Sequence, residues 1–450
     1  MKNKLRVGLV CTTWESFDRA LAARNLAATR ARLARLDAEI VELPAPLERE
    51  EQAPAATERL ARAGLDVLVL QTGTFAWGGF AASLGRTLDV PFLLWALPEP
   101  ARRGPLKLNS LCGLNLVSSI LHRLGRFYRY VYGAPGDRGT MREVKRFLQA
   151  ARALKALAST RIALVGYRVP GFYGSTFDEM GLRRRFGVEV RSVGLHEIKA
   201  QADAVRGKDL AAARVRVKRR LATGRLKATG IDAVARFYAG FRRAIEEHGC
   251  AAAAVKCWPG VGAMMGVRVC AALGLLTDAG LVAGCEADML GTVTMLLQRA
   301  LTGRTPFLVD LVAADRARDL ATFWHCGNLP PSLAEKRPRL HASGLATGMA
   351  RPGVVTLARL SGLDGARMLL ARGRAQRTGA VYEGANALVR FPRALDRLLD
   401  AIVYDGYEHH VSLVWADVAG AMRLCAEMAG TTVTEIRGGA REGAKKGEDR

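Results

Sequence analysis

The sequence predicts an α/β protein: two consecutive parallel-sheet α/β domains followed by a β-rich C-terminal domain. Three observations carry this expectation. Short apolar runs alternate with longer segments of helical period as far as residue 303. From residue 305 onward that period gives way to short strand-forming runs separated by glycine and proline. A chain of 450 residues also exceeds what one hydrophobic core ordinarily holds.

The chain opens with a strand at 5–10, an alanine- and arginine-rich helix over 16–36, and a strand at 39–43. Fully apolar strands follow at 67–70 and 91–97, each after a helical stretch, which is the pattern of a parallel sheet covered by helices. A helix at 109–124, a strand at 128–132 and a helix at 141–158 complete a first domain, 1–158. The second domain, 159–303, repeats the alternation. Its strands are expected at 161–167, 188–193, 251–257 and 281–285, and its helices at 179–185, 203–249, 262–275 and 290–301. The third domain, 304–436, offers strands at 307–312, 353–359, 380–383 and 387–391. It closes on the segment 409–415, a helix at 416–429 and a strand at 431–436. The glycine- and charge-rich stretch 437–450 reads as a disordered tail.

Bulk properties exclude several function classes. A net charge of +25 invites a nucleic-acid partner. However, the densest basic cluster, 214–227, contains no aromatic residue on which a base could stack, so it reads as a solvated helix face. Arginine outnumbers lysine 54 to 13 amid abundant alanine and glycine, the mark of a GC-rich genome on any protein surface. No apolar run approaches the roughly 18 residues needed to cross a bilayer, and the N-terminus lacks the long apolar stretch of a secretory signal. The eight cysteines are scattered and form no Cys-x-x-Cys pair, so a reducing cytoplasm is expected.

The informative residues are polar ones set in apolar runs. Asp310 interrupts Pro306-Phe-Leu-Val-Asp-Leu-Val312, and Glu286 ends Gly280-Leu-Val-Ala-Gly-Cys-Glu286. A carboxylate there is costly to bury unless it is paired or holds a metal. His409 and His410 precede the run 411–415, and His325 lies in Phe323-Trp-His-Cys-Gly-Asn328. Two carboxylates and an imidazole are the parts of a hard-cation site. The plainer alternative gives Glu286 or Asp288 the task of capping the helix that starts near 289 and makes each histidine an ordinary core or surface residue. Gly260-Val-Gly-Ala-Met-Met-Gly266 has the wrong spacing for a dinucleotide loop and reads as a tightly packed helix entry.

Several segments together resemble the L-fucose isomerase and L-arabinose isomerase superfamily, in its fucose isomerase-like branch. They are Leu94-Trp-Ala-Leu-Pro-Glu-Pro100, Gly166-Tyr-Arg-Val-Pro-Gly-Phe-Tyr173, Lys256-Cys-Trp-Pro259, Gly284-Cys-Glu-Ala-Asp-Met-Leu-Gly291 and Trp324-His-Cys-Gly-Asn328. The resemblance spans nearly the whole chain. It implies an aldose–ketose isomerase acting on a pentose or 6-deoxyhexose through an enediol, with Mn2+ or another divalent cation held by Glu286, Asp310 and His410. Glu286 and Asp310 would also carry protons. Trp77, Asn109, Lys256, Trp324 and His325 would line the sugar pocket. Trp77 stands where the family places an aromatic residue against a neighbouring subunit's sugar, so a homo-oligomer, trimer or hexamer, is expected. The chain departs from the pattern in having no arginine in its first strand-to-helix loop and Gly260 where relatives carry an acid. A sugar aldolase or epimerase could use the same enediolate chemistry, and a non-catalytic sugar-binding protein could keep the same cleft.

Overall fold

The computed structural model describes residues 4–378 and 382–438. The chain divides into two compact units, Met1–Lys155 and Ala156–Arg450.

The first unit is built on five parallel strands: β1 (Leu5–Thr12), β2 (Ala38–Glu42), β3 (Val67–Thr72), β4 (Phe92–Ala96) and β5 (Tyr128–Tyr132). Their order is β2-β1-β3-β4-β5. Every residue of β3 and β4 is buried, which is why these strands read as continuous apolar runs without alternation. One face packs on Phe80, Leu84, Leu114 and Leu121 from the covering helices.

The second unit begins with a four-stranded parallel sheet: β6 (Arg161–Val165), β7 (Glu189–Val193), β8 (Ala252–Val255) and β9 (Val282–Cys285), in the order β7-β6-β8-β9. Nine strands follow: β10 (Pro306–Asp315), β11 (Leu320–His325), β12 (Arg339–Leu340), β13 (Ala346–Met349), β14 (Gly353–Ser361), β15 (Arg367–Gln376), β16 (Ala385–Arg390), β17 (His410–Val414) and β18 (Thr432–Ile436). Because β16 pairs with both β11 and β15, the strands β16-β11-β10-β17-β14-β15 close into an antiparallel ring. Phe307, Val309, Phe323, Leu357, Leu369, Val389, Val411 and Leu413 belong to one apolar core. Strand alternation therefore sends Leu308 and Asp310, and likewise His410 and Ser412, to the opposite face of the ring. The expected fold class, two parallel α/β regions and then a β-rich region, is the one observed.

Several elements differ from expectation. The stretch 203–249 is three helices, Leu195–Ala204, Gly207–Arg220 and Ala228–Glu247, not one. The breaks fall where the backbone turns extended, at Val205 and Arg206 and again at Leu221. Gly266, at φ 66°, likewise divides the helix expected over 262–275 into Gly262–Met265 and Cys270–Asp278. The helix Leu395–Tyr404 and strands β11, β13 and β15 were not anticipated. In β15 the exposed Arg372 and Arg374 do alternate with buried neighbours, but alanine and glycine dilute the signal. The strand expected at 380–383 falls partly outside the described residues, and 382–383 are not in a strand. Most of the expected tail, 439–450, also lies outside them. Among the described residues no single helix is long and apolar enough to cross a membrane.

Candidate metal centre

The site forms where the end of β9 meets the outer face of the ring. β9 runs straight into Glu286 and Ala287, both in the left-handed region with φ of 60° and 55°. Two consecutive non-glycine residues in that conformation cost about 1–3 kcal/mol each. The Ala287 N–H donates to the Val255 carbonyl at 2.9 Å, pinning the turn to β8. The turn aims the Glu286 carboxylate, 6% exposed, back over the strand ends. Asp288 then caps the helix Met289–Thr302, its Oδ1 accepting the Gly291 N–H at 2.8 Å.

That helix ties the parallel sheet to the ring through buried polar contacts. Gln298 Nε2 donates to the Ser412 and Thr356 carbonyls, and the Ser412 hydroxyl donates to Gln298 Oε1 at 2.6 Å. The Leu360 N–H donates to Thr294 Oγ1 at 3.0 Å. On the ring, Asp310 and His410 are direct cross-strand partners, as are Asp310 and Trp324. Register therefore brings residues a hundred positions apart in the chain within side-chain reach.

The resulting geometry is close. His410 Nε2 lies 3.3 Å from Glu286 Oε2 and 3.6 Å from Asp310 Oδ1. Candidate ligand atoms of Asp310, His325 and His410 lie within 4.8 Å of one another, and so do those of Glu286, His409 and His410. Glu286 also receives the Trp258 indole N–H at 3.1 Å and faces His409 Nε2 at 3.3 Å. Behind the ring of His410, Nδ1 sits 2.9 Å from Asp288 Oδ2. Asp288 in turn receives a hydrogen bond from the buried Arg359, whose Nε donates to Glu408 at 3.1 Å.

Electrostatics follow from this packing. Burial opposes charge on Glu286, but the imidazoles of His409 and His410 beside it outweigh that and hold the carboxyl far below the usual carboxylate range. Asp288 is held low in the same way, against burial, by Arg359 and His410. Burial would lower the His410 pKa, yet the hydrogen bond to Asp288 and the Glu286 carboxylate 3.3 Å from Nε2 raise it to about 10. Positive charge is therefore favoured between these carboxylates.

A cation fits the donor set. Among the described residues, Asp310 Oδ1, His325 Nε2 and His410 Nε2 are all buried without a hydrogen-bond partner. Three such atoms converging would each carry an uncompensated desolvation cost. With Asp288 accepting the Nδ1–H, a cation that displaces the Nε2 proton of His410 meets the lone pair it needs.

The structure thus brings Glu286, Asp310, His410 and His325 close to one another. Lys256 directly follows β8, and Trp324 donates its indole N–H to the Glu383 carbonyl at 2.9 Å while lying beside His325. Trp77 and Asn109 belong to the first unit. Trp77 is 44% exposed and packs on Trp14 at 5.0 Å. Asn109 sits at φ 49°, with its N–H donating to the Glu99 carboxylate, at the start of the helix Ser110–Arg123. Sequence reasoning missed Trp258, Glu408 and Arg359, and it saw Asp288 only as a cap. Arg359 carried a readable signal, since a charge inside Val354-Val-Thr-Leu-Ala-Arg-Leu-Ser361 is as intrusive as Asp310 in its own strand.

Residues 8–158 match the family described as fucose/sulfoquinovose isomerase, N-terminal domain. The sulfoquinovose isomerase of Alkalicoccus urumqiensis is 30% identical over 383 residues, 82% of this chain and 86% of that one. The chain belongs to the fucose isomerase-like family. A sulfoquinovose isomerase of Clostridium sp. is 30% identical over 80% of this chain and 84% of its own length. That of Priestia megaterium is 29% identical over 79% and 82% respectively. This fucose isomerase-like chain is accordingly an aldose–ketose sugar isomerase, an intramolecular oxidoreductase.

Proposed function

We propose that this isomerase is divalent-cation dependent, with manganese the expected ion, and that its substrate is a 6-deoxyhexose bearing a sulfonate at C6, as in sulfoquinovose. The observation that carries the cation is the convergence of three unpartnered buried atoms, on Asp310, His325 and His410, beside the Glu286 carboxylate. The relatives named sulfoquinovose isomerase support the sugar. Among the alternatives of pentose and 6-deoxyhexose, they favour the second.

Glu286, Asp310 and His410 would hold the ion, with His325 as a fourth donor. A divalent cation there would stabilise the oxyanion that develops when a carbon beside a carbonyl loses its proton. The protein's own groups handle the protons. Glu286 and Asp310 are the two carboxylates placed to take a proton from one sugar carbon and return it to its neighbour. Trp258 and His409 fix the orientation of Glu286. His409, whose side chain is 47% exposed, stands at the open side of the site to carry the hydroxyl proton. Trp324 and Lys256 complete the wall. In the same proposal the enzyme is a cytoplasmic homo-oligomer, a reading supported by eight free thiols and by the exposed Trp77.

The test is direct. Purified protein stripped with a chelator is incubated with sulfoquinovose, with and without Mn2+, and the ketose is followed by NMR. Ketose formation restored by Mn2+ is expected. Full turnover in the stripped protein would remove the cation from the reaction, and absence of turnover in both would remove the sugar.

A further inference from the structure

We infer that Arg168, seconded by Lys256, forms an anion subsite that receives the C6 sulfonate of the sugar. The inference deepens the substrate reading above and rests on it.

The strand register sets the positions. Val165, Val255 and Cys285 are aligned across β6, β8 and β9. The next residues, Gly166, Lys256 and Glu286, therefore leave the same edge of the sheet at one level. Neighbouring strands lie about 4.8 Å apart, so the loop carrying Arg168 starts about 10 Å from Glu286, with Lys256 between them. That is the scale of a hexose laid along the edge, its C1–C2 end at Glu286 and its C6 end toward Arg168.

The loop 166–173 is tied to the metal centre. The Phe172 ring packs edge-on against Trp258 at 5.6 Å and against His409 at 5.4 Å. Gly166 adopts φ 70°, and a Cβ there would lie 3.2 Å from the Lys256 Cβ, so the two strand ends are in near contact.

The two cations are held but not neutralised. Among the described residues neither Arg168 nor Lys256 has a carboxylate within ion-pairing distance, although Arg161, Arg185 and Arg191 of the same region all do. The Arg168 guanidinium lies 4.5 Å from the Tyr173 ring and 5.6 Å from the Tyr167 ring. Aromatic faces orient a guanidinium without cancelling its charge. Its Nε is buried with no acceptor among the described residues. A sulfonate offers three oxygens and a permanent charge, which a planar guanidinium fork engages through two parallel hydrogen bonds.

The experiment uses two sugar alcohols that cannot be isomerised, 6-deoxy-6-sulfoglucitol and 6-deoxyglucitol, titrated calorimetrically into the wild-type and Arg168→Gln proteins. Arg168→Gln is expected to weaken the sulfonated probe by about 10- to 100-fold and to leave the neutral probe unchanged. Arg168→Lys should recover part of the loss. Equal weakening of both probes, or of neither, overturns the subsite. A separate turnover assay of the wild type distinguishes the two claims. Arg168-dependent binding without turnover of sulfoquinovose sinks the substrate reading and leaves the subsite. Turnover with Arg168-independent binding does the reverse.

Discussion

His410 directs Nδ1 at Asp288, 2.9 Å away, and this contact decides that Nε2 is the nitrogen facing Glu286 and Asp310. Asp288 holds the ring from the start of a helix, while Arg359 and the Gly291 N–H hold Asp288. The orientation of one imidazole is thus fixed by residues of three elements: β17, the start of the helix Met289–Thr302, and β14.

Asp288→Asn breaks this arrangement without changing size. The amide cannot accept from His410, Arg359 and the Gly291 N–H together as the carboxylate does. Affinity for Mn2+ should fall by about 10- to 100-fold, measured by calorimetric titration of the chelator-stripped protein.

Glu286→Gln keeps the shape of the turn and removes the negative charge. Ketose formation should drop by at least about 100-fold, while circular dichroism and the melting curve stay near those of the wild type. Undiminished isomerisation would take Glu286 out of the chemistry.

Gly284→Ala tests how closely β9 must approach the helix Met289–Thr302. The added Cβ would fall on the Thr292 hydroxyl, which donates to the Asp288 carbonyl. Displacing the helix start should cost about 1–3 kcal/mol of stability and weaken Mn2+ binding as well. Denaturant unfolding and metal titration together read both effects.

The Arg185–Asp364 ion pair, 2.7 Å between partly buried groups, joins the helix Glu179–Phe186 to the turn between β14 and β15. The Arg185 hydrogen bond holds the Asp364 pKa below its ordinary value. Its stabilisation is therefore complete above the unfolded aspartate pKa of about 3.9 and is lost as pH falls through the lower folded value. Asp364→Asn should lower stability by about 1 kcal/mol at pH 7, with the gap to wild type closing in acid below about pH 3.9. Thermal melts across pH 2.5–7, as set by that window, check the direction.

Much of the fold was legible because its signals are local. Fully buried strands such as Val67–Thr72 and Phe92–Ala96 are continuous apolar runs, and any reading of hydrophobic pattern finds them. The breaks at Val205–Arg206 and Leu221 were not, because a run of charged helix formers flanks them and the residues at the breaks carry no turn signal of their own. Asp310 and Glu286 were legible as charges in apolar company, His409 and His410 as imidazoles before an apolar run, and the family resemblance selected His410.

The sequence by itself determined that these side chains are out of place in their own segments, since burying a charge is costly wherever the segment ends up. Which partners relieve that cost was decided only by the tertiary structure. The register of β10 against β17 sets Asp310 opposite His410. The packing of the helix Met289–Thr302 on the ring makes a helix cap, Asp288, into the residue that orients the imidazole. Hydrogen bonds and charge pairs act over a few ångströms in space and are blind to separation along the chain. Local pattern therefore reveals that a partner is required, and only the folded chain supplies it.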